Sequence, residues 1–153
     1  MKIAKVISEY SKDPSTKVGC VIIDENKRII STGYNGFIAG NDELFMTFER
    51  PMKHYLTIHA EMNALLFAKQ DLTNKIMYIT HSPCSNCLLH IAQSKIKLIY
   101  YENLYIPKIN PELCIDAINR IIKSTDIRVI NYNTNRHYME EIVEKMKTNF
   151  QKE

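Results

Sequence analysis

His59, Glu61, Cys84 and Cys87 are the side chains of this sequence best suited to chemistry, and their spacing groups them. They fall in two short blocks, His59-Ala60-Glu61 and Pro83-Cys84-Ser85-Asn86-Cys87, separated by an apolar stretch of strand character. One imidazole and two thiolates form a good donor set for Zn2+. Three protein ligands leave the fourth position to water, the arrangement of a catalytic rather than a structural centre. A carboxylate beside such a metal can move protons. Glu61 would take a proton from the water so that hydroxide attacks an amidine-like carbon, and the same carboxyl would then protonate the ring nitrogen and the departing ammonia. The competing reading is a closed zinc staple, with a fourth ligand from Cys20, Cys114, His54, His81 or His90. A staple has no use for a glutamate beside its histidine, so the catalytic reading is the stronger.

Both blocks sit at the starts of expected helices. Residues 59–69 read as one, with Met62, Leu65, Leu66 and Phe67 as a broad apolar face, and residues 84–94 as the next. Cys84 and Cys87 are three apart and share a face of the first turn, and Pro83 suits a helix start. The partial positive charge there favours thiolate over thiol. Glu61 is two residues from His59, which on a regular helix points it elsewhere; only in the first turn can it lean toward the same metal.

The rest of the chain supplies the frame. Ile3, Val6, Ile7 and Tyr10 predict an amphipathic helix over 2–11 with that face inward, ended by Asp13-Pro14. Strands are expected over 18–23 and 28–34, joined by a turn at Asp24-Glu25-Asn26-Lys27. Gly33 and Gly36 flank Tyr34-Asn35, where the backbone turns sharply or approaches something closely. Residues 37–56 are aperiodic: either a lid, or a surface connection anchored by Phe45 and Phe48. Strands over 76–80, 96–101 and 127–132 alternate with helices over 111–123 and 136–150. A hairpin followed by β-α alternation implies an α/β fold with a mixed sheet and helices against its faces. No repeat or linker divides the chain, so residues 1–153 are expected to form a single domain.

Composition narrows the function. With 45% hydrophobic and 24% charged residues, a chain of 153 can bury a core without disulfides. A net charge of +3 admits an anionic small molecule but does not argue for a nucleic-acid surface. Of four cysteines, two lie in C-x-x-C; Cys20 and Cys114 lie in apolar runs and read as buried free thiols. Neither a signal-peptide core nor a run long enough to span a membrane is visible, so a cytoplasmic, reducing location is expected.

H-x-E followed by P-C-x-x-C is the signature of zinc deaminases acting on nucleobases. Over residues 8–102 the chain resembles the deoxycytidylate branch of the cytidine deaminase superfamily. Beyond the two metal blocks, the resemblance rests on Ser11-Lys12-Asp13-Pro14-Ser15-Thr16-Lys17-Val18-Gly19, Gly33-Tyr34-Asn35-Gly36, Met62-Asn63-Ala64 and Ile91-Ala92-Gln93-Ser94-Lys95-Ile96-Lys97. It implies a three-layer α/β/α sandwich around a mixed five-stranded sheet. It also implies hydrolysis of dCMP to dUMP and ammonia, feeding thymidylate synthesis, and assembly into homo-oligomers, commonly hexamers. His59, Cys84 and Cys87 would bind zinc and Glu61 would shuttle protons. Asn35 would contact the sugar and the Ala60 N–H the base carbonyl, with Ser11, Lys12 and Thr16 as candidates for the 5′-phosphate.

The sequence departs from that pattern in Phe37-Ile38-Ala39-Gly40-Asn41-Asp42-Glu43, where the branch carries a proline and an aspartate, here Glu43 or a displaced Asp42. Regulation by dCTP and dTTP, which the branch associates with this loop, is correspondingly less supported. The segment before His59 leaves little room for the second zinc site of some relatives. Other readings remain: deamination of cytidine, of a riboflavin-pathway pyrimidine (which Val18-Gly19-Cys20 resembles) or of adenosine in tRNA, and an inactive zinc-stapled interaction module.

Overall fold

The computed structural model describes residues 1–150. Five strands form one sheet: β1 Gly19–Ile23, β2 Ile29–Tyr34, β3 Ile76–His81, β4 Leu98–Asn103 and β5 Arg128–Asn131. They lie in the order β2-β1-β3-β4-β5. β1 runs antiparallel to both neighbours, whereas β3, β4 and β5 are parallel. The helices are α1 Lys2–Ser8, α2 Lys53–Leu56, α3 Ala60–Phe67, α4 Ser85–Gln93, α5 Pro111–Thr125 and α6 Tyr138–Phe150, with a 3-10 turn at Glu43–Phe45.

Residues paired across a ladder share a face of the sheet. Cys20 pairs with Gly33 and Ile79, Ile22 with Met77, Ile79 with Tyr101, and Met77 with Ile99, which pairs with Val129. All of these face the side where Ala60, Ala64, Leu88, Ile91, Ile118 and Ile142 of α3 to α6 complete the core. The opposite face receives α1: a side chain at Gly19 would collide with the Ala4 carbonyl and the Ser8 backbone. Helices therefore lie on both sides of a mixed five-stranded sheet, as expected. Among the described residues no helix is long and apolar enough to cross a membrane.

The faces that α1 and α3 turn to the sheet differ from those expected, although Met62 and Leu65 do pack against the core. α1 ends at Ser8 rather than residue 11, and the only residue it buries is Ala4; Ile3, Val6 and Tyr10 are exposed. α3 likewise buries Ala60, Glu61 and Ala64, while Leu66 and Phe67 are exposed. In both cases close backbone approach at a glycine, Gly19 or Gly33, selects the helix face with the smallest side chains. The strand expected over 96–101 starts two residues later, because Lys95 has φ 67° and buried Ile96 fills the core from the turn. Cys20 is buried, but Cys114 is only half-buried. Phe45 is exposed and anchors nothing; Phe48 instead stacks on Phe37 with ring centroids 4.2 Å apart.

Candidate active site

The site lies at the N-termini of α3 and α4, where the chain leaves the carboxyl end of β3, the edge at which open α/β sheets bind ligands. His59 is not inside α3 but is its N-cap, with φ −70° and ψ 155°. Cys84 has the same role for α4, with φ −73° and ψ 167°. His59 and Cys84 therefore stand on extended backbone just before a helix, while Cys87 lies in the first turn of α4. The segment before His59 is held by reciprocal backbone bonds between Ile58 and Gly36, at 2.8 and 3.1 Å. α3 is seated by Ser31 Oγ, which donates to the Ala64 carbonyl at 2.7 Å, and by Asn63 Nδ2, which donates to the Tyr34 carbonyl at 2.8 Å. The α3 backbone lies so close to Gly33 that any side chain there would overlap Ala60 and Ala64.

His59, Cys84 and Cys87 come together with their donor atoms within 4.8 Å of one another. His59 Nδ1 lies 3.7 Å from Cys84 Sγ and 3.3 Å from Cys87 Sγ. Tetrahedral zinc with ordinary Zn–N and Zn–S bonds requires a nitrogen-to-sulfur separation of about 3.6 Å, so these three residues fit zinc as they stand. Among the described residues no fourth cysteine, histidine or carboxylate joins the group. Cys114 Sγ contacts Ser85 Oγ, His90 Nδ1 contacts the Asn86 carbonyl, and Cys20 is sealed in the core. Contact with the Cys87 thiol, opposed by burial and aided by His59, holds Cys84 down to about 4. Contact with Cys84 and burial raise Cys87. The pair therefore already stabilises one thiolate at neutral pH.

Glu61, in the first turn of α3, is 4% exposed and faces the same point. Because His59 is extended rather than helical, a spacing of two does not separate them. Burial pushes Glu61 up to about 7, with His59 opposing and the Cys84 charge reinforcing. A carboxyl with that value can accept and release a proton near neutrality.

The pocket above this group is lined by Thr16, Asn35, Ala60 and Glu61 among the residues singled out from sequence. The first-turn N–H groups of α3, Ala60 included, have no intrahelical partner and are available to a ligand. Ser11 and Lys12 are not on this wall. Ser11 is buried, its Oγ donating to the Asn35 carbonyl at 2.7 Å. Lys12 is exposed and pairs with Glu43 at 3.2 Å beside a separate, aromatic-walled cavity that includes Phe37 and Phe48.

Sequence reasoning missed Arg50, Lys53 and Thr57 and considered His54 only as a zinc ligand; these residues bring the 50–57 segment onto the pocket. Arg50 makes no ion pair among the described residues, and Thr57 Oγ1 is buried without a partner there. Asp13 was visible within the quoted S-K-D-P block but had no role; it is 1% exposed and carries the Lys53 ammonium at 2.6 Å. Nothing in the pattern around Lys53 signals that it is buried.

The family profile described as "Cytidine and deoxycytidylate deaminase zinc-binding region" matches residues 1–103. An uncharacterized deaminase of Aliivibrio fischeri is 46% identical over 99 residues, 65% of this chain and 67% of that protein. A probable deoxycytidylate deaminase of Caenorhabditis elegans is 41% identical over 106 residues, 66% of this chain but only 54% of that protein. Among solved structures, the dCMP deaminase of cyanophage S-TIM5 in complex with dCMP and dUMP superposes with a TM-score of 0.64 at 29% identity. That superposition covers 85% of this chain and 91% of the phage enzyme.

Proposed function

The chain belongs to the cytidine and deoxycytidylate deaminase family, and from that footing we propose that it hydrolyses dCMP to dUMP and ammonia, supplying dUMP for thymidylate synthesis. The observation that carries this reading is a buried Glu61 beside a three-donor cluster, on the floor of a pocket whose wall brings Arg50 and His54 together. Zinc held by His59, Cys84 and Cys87 would supply Lewis acidity and hydroxide at neutral pH. The protein residues handle the protons and the positioning. Glu61, ionised, accepts the proton of the attacking water. It places that proton on the ring nitrogen beside the reacting carbon, then takes the proton of the newly added hydroxyl and delivers it to the amino group, so that the C–N bond breaks, ammonia leaves and a carbonyl forms. The Ala60 N–H holds the base carbonyl, and Asn35 meets the sugar.

For the 5′-phosphate, the side-chain donors within the pocket support Arg50 and His54, with Thr16 contributing its hydroxyl. Lys53 is close by, but all its donors are occupied: Asp13 Oδ2 at 2.6 Å, Asp13 Oδ1 at 2.8 Å and Ser15 Oγ at 2.6 Å. Ser11 and Lys12 remain the alternative phosphate anchors carried by the S-K-D-P-S-T block. We also read residues 1–153 as a single cytoplasmic deaminase domain that works as a homo-oligomer with no nucleic-acid partner. Four free cysteines support a reducing compartment, and the exposed Ile3, Val6 and Tyr10 support a contact between copies.

The test is ammonia release by zinc-loaded protein on dCMP, deoxycytidine, CMP and dCTP in parallel. Two charge-assisted contacts to phosphate make dCMP better than deoxycytidine by about a hundredfold or more. Arg50→Ala and His54→Ala should erode that preference, whereas Lys12→Ala and Ser11→Ala should do so only if the phosphate sits on their block. Equal efficiency on dCMP and deoxycytidine would overturn the monophosphate assignment.

A further inference from the structure

The Asp13 carboxylate is one of the most heavily bonded groups of the pocket wall. Its Oδ1 accepts from the backbone N–H of Ser15 at 2.8 Å, the Ser15 hydroxyl at 2.9 Å and the backbone N–H of Thr16 at 3.1 Å. Its Oδ2 accepts from Asn35 Nδ2 at 3.2 Å, and Lys53 neutralises both oxygens. The Asn35 amide is correspondingly committed. Its two N–H donors go to Asp13 and to the Thr16 carbonyl at 2.9 Å, while Oδ1 accepts from the Val18 N–H at 2.8 Å. What remains is one lone pair on Oδ1. A flipped amide would turn its oxygen toward the Asp13 carboxylate and its nitrogen toward the Val18 N–H, so the buried negative charge, together with Val18 and the Thr16 carbonyl, decides the orientation. Lys53 sits on α2, so the same ion pair ties the end of the 37–56 segment to the irregular stretch between α1 and β1.

We propose that Asp13 and Lys53 are positioning residues: their buried pair locks the Asn35 amide so that it offers a ligand an acceptor and never a donor, which selects a sugar hydroxyl at that point. This deepens the nucleotide reading above and rests on it. Lys53 binds no substrate; it keeps Asp13 ionised and in place. Without it, Asp13 loses the countercharge that makes its ionised form tolerable in a buried position, and a protonated carboxyl no longer dictates which end of the amide faces it.

The experiment compares zinc-loaded wild type, Asn35→Ala, Asp13→Asn and Lys53→Met on dCMP and on 2′,3′-dideoxy-CMP, which lacks the hydroxyl donor. Wild type should prefer dCMP by roughly tenfold or more, the cost of leaving a buried acceptor unpaired. Lys53→Met and Asp13→Asn should lose several-fold of that discrimination, and Asn35→Ala all of it. Zinc content should stay unchanged. A second readout needs no substrate: the Val18 amide should exchange hydrogen faster in both variants. Should Lys53→Met fail to fold, Lys53→Arg keeps the charge, alters the three-point geometry and should show a partial loss of both signals. Equal losses on the two nucleotides with discrimination intact, or an unchanged Val18 amide, would refute the positioning role. If wild type turns over neither nucleotide while Val18 still responds, it is the substrate assignment that fails and not the lock.

Discussion

Glu61 shows how much a single backbone state can decide. Two residues from His59, it would diverge from the imidazole if both stood in one regular helix; His59 is extended instead, and the two side chains converge. The ligand types and the glutamate were legible in the sequence because H-x-E and P-C-x-x-C are local patterns. Lys53 was not, because its burial depends on an aspartate forty positions away in the chain. Asn35 was named, but its committed amide follows from partners at Asp13, Thr16 and Val18 that no spacing reveals. The sharpest residue-scale prediction concerns proton transfer. Glu61→Gln keeps shape and hydrogen-bonding capacity but cannot carry a proton, so kcat should fall by about 10²–10⁴-fold with zinc retained. Steady-state rates together with metal analysis check this, and a variant keeping most wild-type activity would remove Glu61 from the mechanism.

At the scale of elements, the order of helices and strands apart from α2 followed from apolar periodicity, but the face of α1 and the innermost contacts of α3 did not. Periodicity ranks side chains by hydrophobicity, whereas these helices approach the sheet through glycines. Ala4 and Ser8 on one and Ala60 and Ala64 on the other are small enough for that contact. Exposed Leu66 and Phe67 misled the reading of α3 for that reason. The same contact holds the histidine and glutamate in register with the cysteines, since α3 cannot slide while it rests on Gly33. Gly33→Ala should therefore destabilise the fold by about 1–3 kcal/mol, the cost of overpacking, and lower zinc affinity as well. Chemical denaturation and a metal competition assay measure the two effects, and a variant of wild-type stability would contradict this packing.

For the whole molecule, the fold class was legible because a hairpin followed by β-α alternation restricts the sheet to few topologies, and the observed strand order is one of them. The pocket wall was not, because it is assembled from Thr16, Asn35 and the 50–57 segment, which only the tertiary fold brings together. One of those contacts gives overall stability a pH dependence. Burial alone would raise Asp13, but Lys53, together with Ser15 and Thr16, holds it below its usual 3.8. A depressed carboxylate contributes stability that is present above about pH 3.8 and is lost as the pH falls through the folded-state value. The gap in Tm between wild type and Asp13→Asn should accordingly narrow as the pH is lowered from about 7 to about 3; a gap that stays constant would place that stabilisation elsewhere. The most direct test of an open catalytic centre is X-ray absorption at the zinc edge of the metal-loaded protein. Two sulfurs at about 2.3 Å, one imidazole nitrogen at about 2.0–2.1 Å and one further oxygen are expected, whereas a third sulfur or a second imidazole would contradict it.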